Sequence, residues 1–194
     1  VGQLLLFEAG QAPSREAADD ATEVANYVVA MEHGLARVRE GYPVSVRLFR
    51  EMHERLLQGV RGQHRRPGEL RTSPVWIGGA NLDDAVFVPP PPDDMQRALT
   101  DLEKFLHATN LPLLVQLAVA HYQFEVIHPF LDGNGRIGRL MIPLMLVLRR
   151  ALAQPLLYLS AYFEHHRGEY YDHLLVTSQR GDLIETIRAY FESG

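Results

Sequence analysis

Between His128 and Arg139 the chain reads His-Pro-Phe-Leu-Asp-Gly-Asn-Gly-Arg-Ile-Gly-Arg, placing a base, a hard oxygen ligand, two glycines and two arginines in one short stretch. Each residue type suits phosphate chemistry. Pro129 disfavours helical geometry at His128, so the apolar run before it should stop there, and a new helix should open near Asn134. The N-terminus of that helix would offer unpaired amides and the positive end of a helix dipole, with Gly133 and Gly135 letting an anion approach the backbone. Arg136 and Arg139, three apart, would share a face of the first turns. Asp132 is the kind of oxygen ligand that Mg²⁺ accepts beside phosphate oxygens. His128 has an ordinary pKa near neutrality and so suits a general base.

Three other patterns in the same region lead elsewhere and are set aside. Gly133-x-Gly135-x-x-Gly138 matches a dinucleotide fingerprint, yet it follows a helical run and a proline rather than a strand. Glu125-x-x-His128 imitates half of a di-iron site, but no second Glu-x-x-His occurs in the chain. A core or supporting role is expected for His121 and Glu125. The pair His165-His166 has no cysteine beside it, and adjacent residues point apart. A surface position is expected for both.

The twelve-residue stretch resembles the signature of the Fic family, His-Pro-Phe-x-Asp/Glu-Gly-Asn-Gly-Arg-x-x-Arg, with every defining position present. The similarity continues through Glu69-Leu70-Arg71, Val75-Trp76-Ile77-Gly78, Phe87-Val88-Pro89-Pro90 and Tyr170-Tyr171-Asp172. The resemblance implies a protein adenylyltransferase, moving AMP from Mg-ATP to a Ser, Thr or Tyr hydroxyl of a target protein and releasing pyrophosphate. By motif position His128 resembles the base and Asp132 the Mg²⁺ ligand. Gly133, Asn134 and Gly135 resemble the nest around the phosphates, with Arg136 and Arg139 as clamps. Gly135 stands where the phosphate-transferring Doc branch has Lys, which favours AMP transfer. Two alternatives are weighed against this. One is a Fic-fold enzyme that transfers or removes another phosphate-linked group; the other is a non-catalytic nucleotide-binding or interaction module.

The resemblance also assigns a place to the segment from Arg71 to Val88. Val75-Trp76-Ile77 and Ala85-Val86-Phe87-Val88 are two short β-prone runs around Gly78-Gly79 and an Asn-Leu-Asp-Asp turn, so a small hairpin is expected. Family members carry a hairpin flap here that pairs its edge with an extended segment of the target. Ile77 and Gly78 would then lie near ATP and target, with Trp76 as an anchor in the core. Tyr170 and Tyr171 fall in a stretch that borders the adenine pocket of similar proteins. Many relatives have an inhibitory helix, Ser/Thr-x-x-x-Glu-Gly/Asn, whose Glu pairs with the second motif arginine. The nearest match here, Ser160 to Glu164, is followed by His165. Since the chain begins at Val1 rather than Met, a trimmed N-terminus is expected, with Arg139 available for the γ-phosphate. Neither the inhibitory helix nor the winged-helix DNA-binding domain of related proteins is expected within these residues.

Helical spacing recurs over about residues 15–40, 45–60, 93–108, 112–127, 134–152, 165–179 and 182–192. The fold class expected is therefore mainly α. A central buried helix pair should flank the motif loop, with the small β-hairpin flap beside it. Leu113, Leu114, Leu117, Ala120 and Phe124 should form the apolar face of one partner, while Leu140 to Leu148 is apolar on nearly all sides. The 194 residues, 46% of them hydrophobic, fit one domain. Within it 1–60 would be N-terminal helices, 71–88 the flap, 112–152 the catalytic helix-loop-helix and 153–194 the C-terminal helices. A net charge of −5 gives no general basic footprint for nucleic acid, although Arg61, His64, Arg65, Arg66 and Arg71 cluster in one solvated-looking loop. The absence of cysteine excludes disulfides and thiol catalysis and agrees with a cytoplasmic setting. Leu4-Leu5-Leu6-Phe7 is too short for a signal or membrane segment. The expected partners are a target protein docked on the flap edge, or the chain itself through self-modification, with no membrane and no nucleic acid.

Overall fold

A computed structural model describes the backbone of residues 15–108, 110–155, 159 and 165–180, with side chains there except at 15–19, 167, 170, 171, 173 and 178–180. Among the described residues six helices run α1 (Arg15–Arg39), α2 (Val46–Leu56), α3 (Pro92–Leu106), α4 (Leu113–Ile127), α5 (Asn134–Leu148) and α6 (Arg167–Arg180). The mainly helical reading is borne out. The helix expected over 182–192 lies outside the described residues.

Periodicity dictates how the helices assemble. Tyr27, Ala30, Met31 and Leu35 of α1, Leu48, Phe49, Met52 and Leu56 of α2, Met95, Leu99, Leu102 and Leu106 of α3, and Leu117, Ala120, Phe124 and Ile127 of α4 form buried stripes at three- and four-residue spacing. These stripes share one core cluster with α5, whose Leu140, Met141, Leu144 and Met145 are at most 1% exposed. α1 packs on α2 and α5, and α4 packs on α5 and α3. Phe49 meets Phe124 edge to face, with ring centroids 5.7 Å apart. Leu114 and Leu148 depart from the expected core, being 53% and 38% exposed. No helix among the described residues is long and apolar enough to cross a membrane.

The helix ends are satisfied by distant parts of the chain. Ser45 caps α2 by accepting from the Leu48 amide, while the Val46 amide donates to Glu103 of α3 at 2.7 Å. α4 begins at Leu113, with Pro112 as the preceding cap residue rather than the first residue of the helix. At the end of α3, buried Gln116 of α4 donates to the carbonyls of Phe105 and Ala108, and Arg149 after α5 donates to those of Leu106 and Ala108. Three helices are thereby pinned at one corner.

The segment between Arg71 and Pro92 forms less sheet than the sequence pattern suggests. A single antiparallel bridge joins Ile77 and Phe87. Gly78 and Gly79 both take left-handed φ of 73° directly after Ile77, which turns the chain away before a second pair can form. Asn81 stabilises the tip by accepting the amides of Asp83 and Asp84. Trp76 does not anchor the core, since it is 46% exposed, with Leu82, Val86 and Val88 exposed as well.

Gln116→Leu keeps the side-chain volume but removes both donors, leaving the Phe105 carbonyl without that partner in a buried corner. Urea unfolding should show a loss of about 1–3 kcal/mol, with helix content of the folded state unchanged by circular dichroism.

Candidate active site

The motif loop joins α4 to α5, the buried pair at the centre of the bundle. His128 ends α4 in a left-handed conformation, φ 49° and ψ 61°, because Pro129 keeps it out of the right-handed helical region. Such backbone is costly for a residue with a Cβ and persists only where its surroundings enforce it. Arg71 does the enforcing. It is 1% exposed, and its guanidinium donates to the carbonyls of Ile127 at 3.2 Å, His128 at 2.8 Å, Ser73 at 3.2 Å, and Pro90. Its own amide donates to the Pro129 carbonyl at 2.9 Å. Arg71 therefore does not belong to the solvated basic cluster in which its sequence neighbours place it. Burial lowers its pKa, yet a guanidinium stays charged at any working pH.

Inside the loop, the buried Asn134 side chain turns back on the chain. Its Oδ1 accepts from the Phe130 amide at 2.8 Å and its Nδ2 donates to the Phe130 carbonyl at 2.9 Å. Asn134 thus uses its side chain inside the loop and offers its backbone to an anion. Gly133 precedes α5 with φ 78°, where a side chain would be strained and would crowd the His53 ring at 3.1 Å. The amides of Asn134, Gly135 and Arg136 come before the first intrahelical bond, which Ile137 makes to Gly133. They form the kind of donor set that holds anions at helix N-termini.

His53, which carries no sequence signal beyond one histidine on an amphipathic helix, is fully buried beneath this loop. Its Nδ1 accepts from the Gly68 amide at 2.8 Å, so the proton sits on Nε2, which donates to the Asp132 carbonyl at 2.9 Å. The ring stacks on Phe130 at 3.9 Å. Burial lowers its pKa to about 4.

The groups able to do chemistry line the other side of the loop. His128 Nδ1 lies 3.3 Å from the Glu125 carbonyl, an acceptor only, so Nδ1 carries the proton and Nε2 keeps its lone pair. Burial first, then the charge of Arg71, lowers the pKa of His128 to about 4 against the opposing pull of Asp132 and the Glu125 carbonyl. It is neutral near pH 7. Asp132 Oδ1 accepts the Gly133 amide at 2.6 Å and faces Arg136 at 3.4 Å, with the side chain 36% exposed. Arg139 Nη1 lies 2.9 Å from where a Cβ on Gly135 would stand. Behind it, burial raises Glu125 to about 7 against the pull of Arg139, and Glu125 Oε1 makes no hydrogen bond among the described residues. The nearby His121 is fully buried and lowered to about 4.

No group of three or more His, Cys, Asp or Glu able to hold a metal occurs among the described residues. A divalent cation would therefore have Asp132 as its protein carboxylate and draw its other ligands from a bound phosphate or water, which fits Mg²⁺ carried in with a nucleotide. Ile77 is half-buried and Gly78 exposed on the flap. Tyr170 and Tyr171 lie on α6, with side chains outside the described set. His165 is exposed, its ring edge-on to His166. Sequence reasoning missed His53 and misplaced Arg71.

A helical bundle whose two central helices present a His-Pro-Phe-Leu-Asp-Gly-Asn-Gly-Arg loop defines a Fic-type domain. The chain belongs to the Fic/DOC family, whose family model matches residues 43–146. It is 29% identical over 186 residues to the protein adenylyltransferase Fic of Drosophila yakuba and 28% identical to that of Drosophila melanogaster, matching 94% of this chain in both cases. The chain spans about a third of the length of these curated relatives, 34% and 35% respectively. Among solved structures it is similar to a Fic family protein from Desulfovibrio desulfuricans G20, with a TM-score of 0.78 and 27% identity over 99% of this chain and 56% of that one. A Fic domain containing signaling protein from Bacteroides thetaiotaomicron shares the fold, with a TM-score of 0.69 and 20% identity over 99% of this chain and 79% of that one.

Arg71→Met would leave four main-chain carbonyls without these donors, two of them at the end of α4. A loss of at least about 3 kcal/mol in urea unfolding is expected, the range seen when a buried charge network is broken.

Stability should also fall in acid. His53, His121 and His128 sit near 4 in the folded chain against an ordinary 6.5. Between those values the unfolded chain binds three protons that the folded chain refuses, and stability is lost as pH drops. Glu125, near 7 against an ordinary 4.5, works in the opposite direction, since the folded chain keeps a proton that the unfolded chain releases as pH rises. Two net protons remain between about pH 6.5 and 4.5. Urea midpoints should therefore fall from pH 6.5 to 5, at up to about 2.7 kcal/mol per pH unit, and level off above about pH 7.5, where these groups carry the same protons folded and unfolded.

Proposed function

We propose that this chain is a protein adenylyltransferase domain, transferring AMP from Mg-ATP to a Ser, Thr or Tyr hydroxyl of a target protein. The observation that carries the reading is His128, a neutral imidazole with Nδ1–H held on the Glu125 carbonyl and Nε2 left basic, adjoining the open amides of α5. The relatives named protein adenylyltransferase Fic support it at the level of the family.

In this mechanism the hydroxyl oxygen attacks the α-phosphorus in line while His128 Nε2 takes its proton. The bond from the α-phosphorus to the bridging oxygen breaks, and pyrophosphate leaves with that electron pair. The amides of Asn134, Gly135 and Arg136 receive charge on the α- and β-phosphate oxygens, and Arg136 and Arg139 hold the polyphosphate. Asp132 would hold Mg²⁺, which neutralises phosphate charge when bound. Positioning and electrostatics then supply the catalysis, with no covalent step on the protein. Ile77 and Gly78 would lie beside the reacting groups, the flap edge would register an extended target segment by strand addition, and Tyr170 and Tyr171 would border the adenine. Gly135 favours AMP over phosphate transfer, because the phosphate-transferring Doc branch has Lys at this position.

Incubating the chain with Mg²⁺ and ATP labelled at either the α- or the γ-phosphate tests the proposal, with labelled protein as the readout. Label from the α-position alone is expected, through self-modification or on an added target. His128→Ala should lower it by about 10²–10⁴-fold, the usual contribution of general base catalysis, while Mg-ATP binding persists. Label from the γ-position would mean phosphate transfer instead, and unchanged transfer by His128→Ala would remove the assigned base.

A further inference from the structure

Glu23 lies on α1, 113 residues before Arg136 and outside the motif, yet it reaches the site. Its Oε2 accepts from Arg136 Nη1 at 3.2 Å, while Nη2 of the same guanidinium faces Asp132 Oδ1 at 3.4 Å. The Arg136 and Glu23 side chains are 15% and 28% exposed, so solvent screens this pair less than a surface one. The other Glu23 oxygen faces Arg61 Nε at 4.0 Å, but Arg61 is 84% exposed and contributes little fixed geometry.

An arginine at a helix start has many rotamers, and a guanidinium gripped at both terminal nitrogens by carboxylates from two separate elements has few. The contact with Glu23 is monodentate, so Nε–H and the second hydrogens on the terminal nitrogens stay available for phosphate oxygens. Of the two carboxylates, Asp132 is the one assigned to a cation, and a cation there would draw its charge away from Arg136. Glu23 alone keeps its grip through such a change. We propose that Glu23 is a positioning residue that fixes the Arg136 guanidinium over the first turn of α5 for an incoming polyphosphate. This rests on the adenylyltransferase reading above, and it makes the N-terminal helix a working part of the phosphate site rather than packing alone.

The test is a double-mutant cycle on the whole chain with Glu23→Gln, Arg136→Gln and the pair, reading Mg-ATP affinity by calorimetry and α-label transfer in parallel. Glu23→Gln should weaken Mg-ATP binding by about five- to tenfold, the scale of one charge-assisted hydrogen bond. Added to Arg136→Gln it should change nothing further, because its only route is through that guanidinium. General damage to α1 would persist in the Arg136→Gln background, so effects that multiply overturn the proposal. Tighter binding or faster transfer by Glu23→Gln also overturns it, since Glu23 would then compete with phosphate. If the parent chain binds Mg-ATP but transfers no α-label, the adenylyltransferase reading fails while the affinity cycle still decides Glu23. A parent chain that binds no Mg-ATP overturns both.

Discussion

One buried guanidinium holds the architecture of the site together. Arg71 gathers carbonyls from the end of α4, from the base of the motif loop and from both roots of the flap, at Ser73 and Pro90. A charge that deep survives only when its donors are satisfied, and here main-chain oxygens satisfy them. The flap segment and His128 are therefore not separately mounted. Any shift of the flap roots is felt at the His128 carbonyl, and the left-handed backbone of His128 is held by the same side chain.

Beneath the loop the motif is dry, and toward its open side it is charged. His53, Phe130 and Asn134 make the floor, with a neutral histidine bridging Gly68 to Asp132 and an amide side chain closing on Phe130. Their hydrogen bonds are used up inside the protein. On the other side, Asp132 and Arg136 pair with each other, and the amides of Asn134, Gly135 and Arg136 precede the first intrahelical bond of α5. This division explains how a glycine-rich loop stays ordered enough to preorganise an anion site, since the flexibility that Gly133 contributes is cancelled by partners on two sides.

Behind the arginines, Glu125 and His121 are buried between α4 and α5, where Gly138 leaves no side chain in the way. Burial keeps His121 neutral and raises Glu125 to about 7, so that it is partly protonated near neutral pH. A further carboxylate, Glu23, is brought in from α1 to one terminal nitrogen of Arg136.

The sequence by itself determined the mainly helical fold and which residue types the motif loop carries. Apolar spacing in Leu117, Ala120 and Phe124, and the all-round apolar run from Leu140, are local patterns that suit a buried helix pair, although Leu114 and Leu148 turned outward, and Pro129 dictates where α4 must end. His128, Asp132 and the two arginines were legible because their types and spacing are set within twelve residues. Tertiary structure alone decided what lies between distant segments. Arg71 reads as one more surface cation until the α4 carbonyls surround it, His53 as one more polar residue until the loop closes over it, and Glu23 as a solvated charge until α1 crosses Arg136. The flap shows the same limit, for β-prone residues predict two strands, but two left-handed glycines after Ile77 leave a single bridge. Periodicity records which face is buried, whereas hydrogen bonds between remote residues depend on three-dimensional approach, and no local pattern encodes that.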